Sequence, residues 1–150
     1  MRIIKPSFEI WDQEIGLEGI YKQIERCGRV CYASEPKGNP VEFVQRMINS
    51  GHGAMLEHGT VYLKAKTTIH GGMGSETMEC PLYKYSNNPY SVVKEDYEDF
   101  PDYLYVTTNL RVLVENDCLE DLEFLCEPTE FHEKRITVHF VCDRGVSHEF

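Results

Sequence analysis

The sequence predicts an α+β fold, with helices packed on a mainly antiparallel sheet, from three observations. Segments at about Leu17–Cys27 and Pro40–Ile48 repeat apolar residues at helical spacing. Thr60–Lys64 and Arg135–Cys142 alternate apolar and polar residues, as half-buried strands do. Leu104–Thr107 and Leu110–Val114 resemble an antiparallel hairpin with Thr108-Asn109 near its turn. The chain has 150 residues, a length at which one domain buries roughly 70% of its unfolded surface, so one domain is expected.

The elements follow in order. Arg2–Ile4 and Phe8–Trp11 read as extended pieces separated by Pro6. Leu17, Ile20, Ile24 and Cys27 form one face of the first helix, and Ala33–Pro40 reads as a loop. Asn39 suits an N-cap, Pro40 the first helical position and Glu42 a capping box. Phe43, Val44, Met47 and Ile48 then form an apolar stripe, which Gly51 ends in the left-handed conformation. Val61 and Leu63 share one strand face. From Lys66 to about Pro101 the pattern fails, which predicts a long loop, functional or mobile. Within it, Glu95-Asp96-Tyr97-Glu98-Asp99 reads as a solvated face. Asp117 is positioned to cap a helix carrying Leu119, Leu122 and Cys126, with Glu120 completing a capping box and Glu127-Pro128 ending it. Ile136, Val138, Phe140 and Cys142 share one face of the last strand. Asp143 can cap a final helix, inside which the chain stops, so a truncated protein is expected.

Composition narrows the function. The apolar fraction is 41% and the charged fraction 27%, which argues against wholesale disorder. A net charge of −10 argues against a nucleic-acid polymer as partner, because phosphate contacts need a basic face. A small anion held by a few local cations stays compatible with it. No apolar run is long enough for a membrane span, and Met1–Pro6 meets Glu9 and Asp12 too soon for a signal peptide. The six cysteines include no Cys-x-x-Cys pair and read as reduced thiols in a cytoplasmic protein.

The densest polar cluster is Gly51-His52-Gly53-Ala54-Met55-Leu56-Glu57-His58. Imidazole and carboxylate are ordinary zinc ligands, but the two histidines are not one helical turn apart. A loop bonded to its own backbone and a loop orienting a heteroaromatic cofactor are the other two readings. His70, in a Gly-rich loop, and His132, in a polar segment, read as solvated, and His139 faces away from Ile136. No Gly-x-Ser-x-Gly elbow occurs, and no Gly-x-Gly-x-x-Gly follows a strand.

Arg29-Val30-Cys31-Tyr32, the helix with Phe43, Val44 and Ile48, and then Gly51-His52 to Glu57-His58 resemble the N-terminal half of the flavin-dependent thymidylate synthases, the thymidylate synthase complementing proteins. The strand Ile136–Cys142 followed by Gly145-Val146-Ser147-His148-Glu149-Phe150 resembles what precedes the family's Arg-His-Arg signature, which this sequence does not contain. The resemblance covers roughly Met1–Lys64 and Arg135–Phe150. The stretch of about 65–134 then reads as an insertion adding a hairpin and a helix, packed outside or at a subunit contact.

The resemblance implies a fold of this family and FAD as cofactor. It implies NADPH and methylenetetrahydrofolate as co-substrates, deoxyuridylate and folate as ligands, and a homotetramer. The reaction implied is the reductive methylation of deoxyuridylate to thymidylate, a methyltransferase step of nucleotide biosynthesis. His52 matches a position near the flavin ring and the folate entry side, and Glu57 a position near the flavin. Ala54 matches a cofactor-touching position usually held by Ser or Thr, and so loses a hydroxyl. Cys31 matches a flavin-side position, with a buried structural thiol as its other reading. His58 reads as bonding locally and fixing the strand start. Arg29 pairs either with a phosphate or with an acid inside the fold. Without the signature arginines the expected activity is weak or absent. Two rivals remain: a non-catalytic oligomeric domain that binds neither flavin nor nucleotide, and a metal-dependent hydrolase using His52, Glu57 and His58.

Overall fold

The computed structural model describes residues 5–35, 38–70, 77–96 and 103–147. The chain runs β1 (Ser7–Trp11), α1 (Gly16–Cys31), α2 (Pro40–Asn49), α3 (Gly53–Leu56), β2 (Thr60–Lys66), β3 (Thr68–His70) and β4 (Thr77–Glu79). A 3₁₀ helix at Pro81–Asn87, β5 (Val92–Asp96), β6 (Tyr103–Asn109) and α4 (Leu110–Glu115) follow. A second 3₁₀ helix at Leu119–Phe124, β7 (Thr137–Val141) and α5 (Arg144–Ser147) complete it. All pairings are antiparallel: β2-β6-β5, β1-β7 and β3-β4. The α+β class is thus as expected. Among the described residues, no helix is long and apolar enough to cross a membrane.

Local chemistry explains the first helices. Oδ1 of Asn39 accepts the Val41 N–H at 3.0 Å, with Pro40 at the first helical position. Gly51 takes φ +69°, the left-handed geometry that ends α2. The two helices approach at Gly28, where a Cβ would stand 2.5 Å from Cζ of Phe43. Ile20 and Ile24 of α1 press on Gly59, just before β2. The core joins these side chains to Val61, Leu63, Leu104, Val106, Leu110 and Leu113. Gln13 pins the start of β2, its amide bonding the N–H and the C=O of Thr60 at 2.9 and 2.8 Å.

Several expectations fail. The stretch from Lys66 to Pro101 is not one loop, since it holds β3, β4, a 3₁₀ helix and β5. Asp96 is buried, so that end of the acidic run is not solvated, and 97–99 lie outside the described residues. Leu104–Val114 is not a hairpin. Residues 103–109 form one strand, and Asn109 caps α4 by accepting the Val112 N–H at 3.1 Å. β6 is the central strand of its sheet, so 65–134 contributes to the core rather than packing outside it. Asp117 caps nothing. It takes φ +53°, and a 3₁₀ helix follows in place of the expected α-helix. Arg2–Ile4 and the glycines at 71, 72 and 74 lie outside the described residues.

The last strand forms, but its apolar face points outward. Ile136, Val138 and Phe140 are exposed, as are Phe8 and Ile10 opposite them on β1. The inner face carries Trp11, stacked on His139 at 4.5 Å and covered by the Arg26 guanidinium at 3.7 Å.

Candidate functional site

The Gly-His…Glu-His string folds into a turn around α3. α2 ends at Gly51, His52 precedes the first residue of α3, and Glu57 follows its last. His52, Ala54, Glu57 and His58 are all exposed. A helix this short separates its two flanking residues by only about 8 Å along the axis. At about 100° per residue, five positions turn their side chains to different faces of the turn: His52 toward Tyr32 and Glu57 toward Arg111.

Each is held by a partner. Tyr32, just past the end of α1, places its hydroxyl 2.8 Å from Nδ1 of His52, with the rings stacked. The same hydroxyl lies 3.9 Å from Sδ of Met47. The hydroxyl both donates and accepts, so it can bridge Nδ1 of His52 and Sδ of Met47. Glu57 accepts a hydrogen bond from Nη1 of Arg111 on α4, whose Nε donates to Glu115 at 2.6 Å. The two carboxylates, Glu115 foremost, hold the Arg111 guanidinium above its ordinary pKa.

Beside His52 lies an open depression of about 470 Å³, walled by Tyr32, Arg46, Met47, Asn49 and Ser50. Glu57 is not part of its lining. Cys31 is exposed at the end of α1, which removes its reading as a buried thiol. Arg29 pairs with Glu25 at 2.8 Å and covers the Phe43 ring, so an internal acid is its partner. His58 bonds through its backbone, donating N–H to Met55 O at 3.4 Å, while Gln13 fixes the strand start assigned to His58. For the metal reading, His52, Glu57 and His58 do not converge, and among the described residues no group of three acids, histidines or cysteines could hold an ion.

A second cavity, about 380 Å³, lies at the other end of α1, between Ile10, Gln13, Tyr62, Cys126 and Ile136. Cys126 in its wall belongs to a pair that sequence reasoning missed. Sγ of Cys126 is 3.8 Å from Nε2 of His132. His132 is buried rather than solvated, packed edge-on against Tyr62 and Tyr105. Its Nδ1 accepts the Thr129 N–H at 3.0 Å, so Nε2 holds the proton and donates it to Leu63 O at 3.1 Å. Burial pushes the Cys126 thiol up and the His132 imidazole down. Both shifts oppose the thiolate–imidazolium state that a cysteine nucleophile needs. Through Tyr62 O and Leu63 O the pair ties the 126–132 segment to β2. His70 closes β3 rather than lying in a loop.

No family model, no curated protein and no solved structure matches the chain.

Proposed function

We propose that the chain carries the flavin-facing turn of a flavin-dependent thymidylate synthase. The observation that supports this best is the turn itself. His52, Ala54 and Glu57 are each exposed on it, and side chains elsewhere in the fold hold the two polar ones in place. Exposed polar groups fixed by second residues are the usual construction of a binding site.

The residues present suit FAD. Tyr32 and Met47 offer flat and polarisable surface, Nε2 of His52 offers a hydrogen-bonding nitrogen, and Arg46 offers a cation for a phosphate. Bound flavin would supply hydride-transfer chemistry, with NADPH as reductant and methylenetetrahydrofolate as carbon donor. The protein's part is to orient the ring. Tyr32 holds the His52 ring, and Arg111 holds the Glu57 carboxylate. Deoxyuridylate and folate, the ligands of the family reaction, are the proposed ligands of a cytoplasmic protein whose own activity, without the signature arginines, is weak or absent. A homo-oligomer, tetrameric as in the family, is favoured by the exposed apolar face of β1 and β7.

The test is incubation of purified protein with FAD, gel filtration, and an assay for thymidylate formation from deoxyuridylate with NADPH and methylenetetrahydrofolate. Retained flavin absorbance that is lost in His52→Ala supports the reading. Protein that oligomerises but stays colourless favours the non-catalytic domain instead.

A further inference from the structure

We infer that the cavity at the start of α1 is a binding site for a small apolar molecule that carries one carboxylate. Its volume of about 380 Å³ falls within the range of small-molecule sites, roughly 300 to 1,000 Å³. It lies at the far end of α1 from His52 and shares no lining residue with the depression beside that ring.

Separate parts of the chain build its apolar wall. Ile10 comes from β1 and Ile136 from the residue before β7. Ile15 and Ile20 come from the start of α1, and Leu125 and Pro128 from the chain after the second 3₁₀ helix. Ile10 and Ile136 belong to the outward apolar face of the β1–β7 pair. An apolar body seated in the cavity takes both out of water, which is favourable in proportion to the area covered.

The polar groups set the sign of the ligand. Lys134 and Arg135 both line the cavity. Lys134 has no ion pair or hydrogen bond among the described residues, and Arg135 gives one N–H to a neutral acceptor, Tyr90 O, at 2.7 Å. Of the two acids in the wall, Glu14 is paired with Lys22 at 2.9 Å, and Asp12 has no partner among the described residues. The unpaired side chains thus carry two positive charges against one negative. Gly16, the first residue of α1, is also in the wall, and the N-cap Ile15 offers no side-chain oxygen to the first-turn N–H groups. Negative charge is favoured at such an end. Tyr62, whose hydroxyl has no partner among the described residues, adds a neutral donor. A carboxylate meets both cations and the open start of α1, whereas an ammonium meets only Asp12. The chain's overall charge of −10 works against an anion at long range, but salt at 0.1 M screens it beyond about 10 Å.

The test is calorimetric titration of the full chain with octanoate and with octylamine, which share a chain length and differ in the sign of the head group. Wild type should bind octanoate saturably, with a Kd of about 1 mM or tighter, and octylamine at least about tenfold more weakly. Lys134→Gln and Arg135→Gln should each weaken octanoate about tenfold and leave octylamine no weaker. Ile15→Asp supplies the missing cap and puts a negative charge at the mouth of the cavity. It should raise the melting temperature and remove octanoate binding, a loss that misfolding does not explain. Wild-type protein without saturable octanoate binding overturns the inference. Octylamine binding as tight as octanoate also overturns it, since Asp12 would then set the head group. Octanoate binding that all three variants leave unchanged overturns it as well, because the ligand then sits elsewhere on the surface.

Discussion

The Tyr32 hydroxyl stands 2.8 Å from Nδ1 of His52, and the two rings stack with centroids 6.4 Å apart. The contact links the end of α1 to the start of α3, elements separated in sequence by the whole of α2. It leaves His52 exposed but oriented. Nitrogen-15 spectra should show one dominant ring tautomer in wild type and a mixture in Tyr32→Phe. The variant should bind FAD several-fold more weakly, about 1 kcal/mol, and keep its melting temperature. Identical tautomer populations in the two proteins would remove Tyr32 from the site.

His132 makes stability depend on pH. Burial lowers its pKa from the ordinary 6.5, and the Lys64 and Lys94 charges add to this, while its bond to Leu63 O works the other way. The unfolded state therefore binds the proton more tightly than the folded state. The resulting stability is fully present above pH 6.5 and is lost as pH falls below it toward the folded pKa. Thermal midpoints measured from pH 7.5 down to pH 5 should fall less steeply for His132→Gln than for wild type. Parallel curves would show that His132 stays protonated to the same degree in both states.

Asn109→Ala should cost about 1 kcal/mol, because it removes the side chain that caps α4. Urea unfolding at unchanged slope reads this directly.

Tyr85 donates to Oδ2 of Asp121 at 2.6 Å in the buried layer, and Nζ of Lys84 meets the same oxygen at 2.7 Å. Burial and the Asp121 carboxylate push the Tyr85 phenol far above its ordinary value. Burial alone would lower Lys84, but Asp121 and Cys118 together outweigh it and leave that ammonium raised. Tyr85→Phe should cost about 2 kcal/mol, the range for a hydrogen bond to a charged group, by urea denaturation. A loss within error would mean that Lys84 alone satisfies the carboxylate.

What the sequence made legible was local. Asn39-Pro40 and Gly51 mark the ends of α2 through bonds and dihedrals made within a few residues. Asn109 shows the limit, because the side-chain chemistry that favours a turn also caps a helix. Alternation located β7 but could not say which face turns inward. That choice was made by Trp11, Arg26 and His139, from three separate elements. The burial of His132 depends on Leu63 O, and the Glu57 contact on Arg111, 69 and 54 residues away. The Gly-His…Glu-His string identified the turn, while the residues that hold it in place lie outside that string.

The central claim is that the turn from His52 to Glu57 faces a flavin ring. The most direct measurement is the proton NMR of the full chain during addition of FAD, following the His52 ring and the Ala54 methyl. The account predicts saturable ring-current shifts at both, with the buried His132 ring unmoved as the internal reference. Unshifted His52 and Ala54 signals at flavin concentrations in the millimolar range would contradict it.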